Sequence, residues 1–262
     1  MTASAPGRFY FWGERALYLG PGVPATVHAH HAVQVCIPLD GTVRLRSGPA
    51  ARWHAYAGAV IPSNQPHESD VAVPLIAAFW LEPDTPEARR VAHGRRVLPF
   101  MPVERAKLVT IVPPLRECWH ERYGAQRAAA LMDEVMRALT PARRSNVGTD
   151  PRVVRARAAL GSAPDRRLPL AELAARVALS PSRLAHLLRP ELGLPARRYL
   201  LWLRLRDAVG ELTRGVSITA AAHAAGFADA AHFTRTFRRM LGFTPSAALR
   251  VSQFVQDALA RP

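Results

Sequence analysis

At 262 residues, 49% of them hydrophobic, the chain can build two compact domains with ordinary cores and is too apolar for global disorder. Its formal net charge is +15, unevenly spread: residues 1–145 hold 17 Lys+Arg against 12 Asp+Glu, whereas residues 146–262 hold 18 against 8. That excess favours a polyanionic partner for the C-terminal part.

From about Arg8 to Asp84 the text reads as short strands: Val33–Pro38, Val43–Leu45, Ala59–Pro62 and Leu75–Leu81 are apolar or β-branched runs broken by Gly, Pro and Asn. Regular short strands with turns between them predict a small barrel or sandwich. Between Thr85 and Ser145 the apolar spacing lengthens to helical period, predicting helices over Glu104–Val112, Pro114–Glu121 and Ala125–Leu139. The polar connector Ser145–Asp150 is the expected boundary, giving domains of residues 1–145 and 146–262.

Beyond Asp150 the expectation is helix throughout. Asp150-Pro151 and Ser180-Pro181 are cap-plus-proline starts, and the first of these opens a helix to about Leu160. Gly193 closes the second helix, and a long one follows over Pro195–Thr213. Ser217 caps a short Ala-rich helix ending at Gly226, Asp229 caps the next up to Gly242, and Thr244-Pro245 opens the last. This half repeats internally. Leu184, Leu188, Arg189 and Gly193 recur 49 residues later as Phe233, Phe237, Arg238 and Gly242; Leu170, Leu173 and Ala174 recur 48 residues later as Ile218, Ala221 and Ala222. The one-residue change falls in the connecting turn. Each unit reads as a short helix, a tight turn and a longer basic helix, the layout of a helix-turn-helix.

In the second unit, Ala221, Ala222 and Ala225 permit close helix approach, Gly226 permits a left-handed stop, and Asp229 caps the next helix. On that helix Phe233 and Phe237 form an apolar stripe, opposite Ala230, Ala231, His232, Arg235, Arg238 and Arg239. An apolar face that anchors a helix and a basic, small-residue face beyond it suit entry into a DNA groove. The basic residues are almost all Arg, Lys107 being the only lysine. Arg suits bidentate contacts to phosphate and guanine, although a GC-rich genome yields the same bias.

The stretch from Ala222 to Ser246, with Gly226-Phe227, Asp229, Phe233, Arg235, Phe237-Arg238, Gly242 and Thr244-Pro245 at its fixed points, closely resembles the signature of AraC/XylS-type transcription regulators. Leu173-Ala174, Ser180-Pro181, Leu184, Gly193, Tyr199-Leu200 and Arg204-Leu205 resemble the first helix-turn-helix and linker of that family. The resemblance spans about residues 150–252 and implies two helix-turn-helix units joined by a long helix, with recognition helices near Pro181–Arg189 and Ala230–Arg239. It departs where His186 stands for the usual Arg and Leu188 for an aromatic. A linker over Ala196–Thr213 spans ~27 Å, which with the flanking units sets the two probes near one turn of B-DNA, ~34 Å. The expected base-reading residues are Ser182, Arg183 and His186 in the first probe and Ala230, Ala231, His232 and Arg235 in the second. Arg189, Arg238 and Arg239 are expected on phosphate.

In the N-terminal half, His28-Ala-His30-His31 precedes a strand-like run with Gln34 four residues beyond His30, and a Gly58…Pro62…Pro66-His67 segment supplies another imidazole. Alternate residues of a strand share a face, so His28 and His30 point together. The layout resembles the two cupin motifs, His-X-His-X3-Glu and Gly…Pro…His, and the sensor barrel of many AraC/XylS proteins. Metal cupins bind a divalent ion at the matching positions; here Gln34 replaces the carboxylate. His28, His30, Gln34 and His67 are therefore expected to line a small-molecule pocket, to hold zinc, copper or iron, or to serve structure only. Trp12, Tyr18, Trp53, Tyr56 and Trp80 are candidate aromatic walls or plain core. Cys36 and Cys118 form no CxxC pattern and read as buried thiols.

The expected architecture is α+β: a cupin-like β-barrel with flanking helices, then an all-α double helix-turn-helix domain. The expected function is a sequence-specific regulator, an activator by family habit, binding double-stranded DNA under control of a small effector. RNA polymerase is an expected partner. The helices between Glu104 and Leu139, with Leu131, Val135 and Leu139 as their stripe, serve either a homodimer or the barrel's own outer face. A dioxygenase or isomerase is disfavoured because Gln34 supplies no acid. With no secretion signal and no apolar run of about eighteen residues, a cytoplasmic location without membrane contact is expected.

Overall fold

A computed structural model describes residues 5–71, 73–92, 99–140, 155, 170–192 and 194–255. The connector Ser145–Asp150, the helix expected from Asp150 to Leu160, and Gly193 lie outside them. The chain divides into two compact units, one of residues 1–144 with 237–262 and one of residues 145–236.

The first unit carries eleven strands among its described residues: β1 (Gly7–Phe11), β2 (Arg15–Gly20), β3 (Ala25–His28), β4 (Val33–Pro38), β5 (Val43–Arg46), β6 (His54–Tyr56), β7 (Ala59–Ile61), β8 (His67–Asp70), β9 (Ile76–Leu81), β10 (Met101–Pro102) and β11 (Ser252–Val255). They form a seven-stranded sheet ordered β10-β7-β4-β9-β2-β1-β11 and a four-stranded sheet ordered β3-β8-β5-β6. Three helices join them: α1 (Pro86–Val91), α2 (Arg105–His120) and α3 (Ala125–Leu139).

The two-residue period of β2, β4 and β9 divides their side chains between two cores. Leu17, Leu19, Val35, Ile37, Phe79 and Leu81 meet Leu108, Ile111 and Leu115 of α2 and Met132 and Val135 of α3. Their neighbours Tyr18, Cys36, Ile76 and Ala78 turn the other way, to Val43, Leu45 and Tyr56 of the small sheet and to Phe100. Both faces are buried, which is why these strands read as unbroken apolar runs. Gln34 shares the parity of Cys36, so the strand period turns it toward the small sheet.

Two expectations change. Glu104–Val112 and Pro114–Glu121 are one helix, α2, with Pro113 and Pro114 inside it. Pro113 lies on the exposed side next to Val109, which is 72% exposed, where the backbone groups freed by proline can reach water. The chain also does not stay helical to its end. After the last helix, Ser252–Val255 pairs in parallel with β1, matching Gly7 with Ser252 and Tyr10 with Val255. Phe254 packs edge-on to Phe9 at 5.6 Å. The free edge of β1 offers unpaired backbone groups, and a β-prone Ser-Gln-Phe-Val segment satisfies them.

The second unit contains α4 (Leu170–Arg176), α5 (Pro181–Leu192), α6 (Ala196–Thr213) and α7 (Ile218–Ala224). α8 (Ala230–Leu241) begins in it, and α9 (Pro245–Val251) follows in the other. α4 packs on α5, and α6 packs on both α5 and α7. A helix with neighbours on two sides must be apolar on two sides, and Tyr199, Trp202, Leu203, Leu205, Ala208 and Leu212 of α6 are all buried.

Candidate functional site

The internal repeat is a repeat of geometry. At the end of α4, Ala178 N–H donates to Ala175 O at 3.1 Å and Leu179 N–H to Ala174 O at 2.9 Å; at the end of α7, Gly226 N–H donates to His223 O at 3.0 Å and Phe227 N–H to Ala222 O at 2.9 Å. Each pair closes its helix with one residue in the left-handed region, Ala178 at φ 54° and Gly226 at φ 78°. Both following helices are then capped by a side chain. Ser180 Oγ accepts from Arg183 N–H at 3.2 Å, and Asp229 Oδ1 from His232 N–H at 2.6 Å. That bond holds the Asp229 carboxyl below its ordinary range. The extra residue of the second turn is Ala228, between Phe227 and the cap.

The caps aim matched faces. Leu184 and Leu188 of α5, and Phe233, Phe237 and Met240 of α8, are buried. Ser182, Arg183, His186 and Arg189 are exposed on α5, as are Ala231, Arg235, Arg238 and Arg239 on α8. Shifted by one repeat, His186 corresponds to Arg235 and Arg189 to Arg238. Ala230 and His232 are half-buried, and the His232 ring sits edge-on to Phe227 at 5.3 Å.

A second constellation lies in the first unit, between its sheets. β3 pairs with β8 so that His28 faces His67, their rings 4.0 Å apart. His30 lies just past the end of β3, its ring 5.0 Å from that of His67, and all three imidazoles are buried. One ring nitrogen from each lies within 4.8 Å of the others. Gln34, from β4 in the other sheet, places Oε1 at 2.9 Å from His30 Nε2 and 3.2 Å from His67 Nε2, while its amide nitrogen donates to Cys36 Sγ at 3.2 Å.

Burial sets the charge of this cluster. It lowers the His28 pKa to about 3, aided by the neighbouring His30, and pushes His67 well down, aided by His28 and His30. Burial lowers His30 as well, and raises the Cys36 thiol to about 12. The Nδ1 atoms of the three imidazoles lie against backbone carbonyls, His28 on Thr26 O at 2.7 Å, His30 on Ala32 O at 2.9 Å and His67 on Gln65 O at 2.9 Å. A carbonyl only accepts, so a proton on Nδ1 satisfies each of these contacts, and by the same rule a proton on Nε2 satisfies the contacts of His30 and His67 with Gln34 Oε1. Three imidazoles with an amide oxygen beside them are ligand types that suit a borderline divalent ion.

The aromatic candidates fare differently. Trp12 stacks on Tyr10, Trp80 packs on Phe9, and Trp53 lies under Arg44 and Arg46. The Tyr18 hydroxyl donates to Pro21 O. Tyr56 meets Phe100 edge-on at 6.0 Å, Phe100 meets His67 at 6.5 Å, and the buried Tyr56 hydroxyl has no hydrogen-bond partner among the described residues. Phe100 and Cys36, which touch the cluster or its ligand, escape sequence reasoning because neither belongs to a spaced motif. The strand period alone could have flagged Cys36 beside Gln34. Leu131, Val135 and Leu139 are buried in the chain's own core.

Residues 173–250 match the family described as a helix-turn-helix domain, of the AraC type. No curated protein matches the sequence. Among solved structures, an apo variant of ToxT from Vibrio cholerae superposes with a TM-score of 0.61 at 10% identity, covering 91% of this chain and 97% of that one. ToxT with a bound unsaturated fatty acid gives a TM-score of 0.56 at 11% identity, covering 96% and 98%. Likeness at such identity concerns the fold: a β-rich N-terminal part and a helical C-terminal part. By class the protein is a DNA-binding transcription regulator. More narrowly, its residues 173–250 are an AraC-type helix-turn-helix domain. Among the described residues, no helix is long and apolar enough to cross a membrane.

Proposed function

We propose that the protein binds specific double-stranded DNA sites through α5 and α8 and that an effector held among His28, His30, Gln34 and His67 in a cupin-like N-terminal domain controls that binding. The observation that carries the reading is the duplicated turn, in which the same two backbone bonds, a left-handed residue and a cap present two helices by their exposed faces. Ser182, Arg183, His186, Ala231 and Arg235 are the base readers. Ala230 and His232 flank them at the start of α8, where a methyl suits thymine and an imidazole edge suits a base acceptor. Arg189, Arg238 and Arg239 grip phosphate. ToxT has been crystallised with a fatty acid, which supports a ligand-responsive reading of the shared fold.

The same reading makes the protein a cytoplasmic activator without catalytic activity, acting with RNA polymerase and as a homodimer. Since Leu131, Val135 and Leu139 are spent in the core, a dimer uses another face, for which the exposed Val109 of α2 is available. The test is competition of a labelled promoter fragment, found by genome-wide footprinting, against unrelated DNA. Selective binding of at least about a thousandfold is expected. Equal competition by random DNA contradicts the proposal.

A further inference from the structure

Resting on the phosphate grip just proposed for Arg238 and Arg239, we infer that Thr26 and Phe254, which lie outside both helix-turn-helix units, are positioning residues for the second probe: they hold the C-terminal end of α8 from the first unit. The division of the chain runs through α8, between Thr236 and Phe237. Arg235 stands on one side of that line, and Arg238 and Arg239 stand on the other. The base reader and the phosphate grippers of one helix are thus anchored by different parts of the chain.

Two attachments make the anchor. Gly242, at φ 81°, terminates α8, its N–H donating to Arg238 O at 2.8 Å. Its carbonyl accepts twice from Thr26 of β3, from the backbone N–H at 3.2 Å and from Oγ1 at 2.9 Å. The approach is close enough to exclude a side chain: a Cβ on Gly242 would lie 2.7 Å from Thr26 O and 2.8 Å from Ala25 Cβ. Glycine serves both the left-handed turn and the contact. The second attachment is β11. Phe254 packs edge-on to Phe9 at 5.6 Å, Gln253 Oε1 accepts from Arg122 Nη2 at 3.2 Å, and Val255 packs against the larger core. Both faces of this short strand are engaged on the edge of β1. The chain between the attachments has no slack. The Thr244 cap of α9 accepts from Ala247 N–H at 3.2 Å. α9 then runs straight into β11, where Ser252 Oγ donates to Ala248 O at 2.6 Å. A helix end fixed at Gly242 and again through α9 has its last turn ordered before DNA arrives. Arg238 and Arg239 then meet phosphate without the ordering cost that a frayed turn carries.

The test compares Thr26→Val, Thr26→Ser and Phe254→Ala with the unaltered full chain. Binding is measured on a selected promoter and on random DNA across a salt series, and amide hydrogen exchange is read at Gly242. Thr26→Val removes one of the two bonds to Gly242 O, and Thr26→Ser keeps both. Thr26 is exposed, so neither substitution disturbs the core. Thr26→Val and Phe254→Ala should each weaken binding by about threefold to tenfold on both DNAs alike, with a shallower salt dependence because fewer phosphates are held. Exchange at Gly242 should quicken by about threefold or more. Thr26→Ser should match the unaltered chain in every reading. A merely structural part for these residues leaves the salt dependence as it is. Unchanged affinity and salt dependence in Thr26→Val and Phe254→Ala overturn the inference, as does quickened exchange with unchanged binding, or tighter binding in either. Failure of the regulatory reading shows elsewhere, as equal binding of promoter and random DNA by the unaltered chain.

Discussion

The two helix-turn-helix units share a backbone and differ in what they hang on it. The first turn places Ala178 in the left-handed region; the second places Gly226 there. The first buries Leu184 and Leu188, the second Phe233 and Phe237. The first presents His186 where the second presents Arg235. At each point the second unit has the stronger choice: an unstrained stop, a larger apolar anchor and a permanent bidentate cation. Duplication has kept the frame that aims a helix while the firmness of aim and grip has diverged. The second unit is thus expected to dominate both the domain's stability and its hold on DNA.

Truncation of the anchors should separate the units most clearly. Phe233→Ala should cost about 3–5 kcal/mol in denaturant unfolding, and Leu184→Ala about 2–5 with a smaller value than its counterpart. An equal or larger loss for Leu184→Ala removes the stability half of the comparison. Next come the proposed base readers. Arg235→Ala should weaken binding to the cognate site by about 1–3 kcal/mol and hardly change binding to random DNA, while His186→Ala should cost less. Equal loss on both DNAs reassigns Arg235 to the phosphate backbone. The turns give the smallest effects and the cleanest sign change. Gly226→Ala should destabilise by about 1–2 kcal/mol, whereas Ala178→Gly should stabilise by about 0.5–1 kcal/mol. Ala178 is exposed, so its substitution removes no packing and thermal unfolding reads the backbone alone.

The C-terminal half was legible because its signals are local and doubled. Caps at Ser180, Ser217, Asp229 and Thr244 stand within a turn of the helices they start, and the apolar stripe of α8 repeats every three or four residues. Even the mismatch between the 48- and 49-residue offsets locates itself in the turn, at Ala228. The strands β4, β5, β7 and β9 were readable from β-branched runs between turn residues. What could not be read is non-local. The join of α2 across Pro113 and Pro114 depends on which side of the helix meets water. The pairing of β11 with β1 depends on an edge left open far along the chain. The four residues of the proposed effector site were recognisable from their spacing, although the strand argument for His28 and His30 sharing a face is not the reason they meet: β3 ends at His28, and the loop beyond it brings His30 round. Which sheet each residue comes from and the part of Cys36 in orienting Gln34 follow only from the packing of the two sheets.

Methylation interference at guanine N7 on a selected promoter, with the intact chain and with His186→Ala and Arg235→Ala, addresses the duplicated probes directly. The account predicts two sensitive segments about one helical turn apart, ~34 Å, with each substitution relieving interference in a different segment. A single segment, or two segments that respond identically to both substitutions, would contradict it.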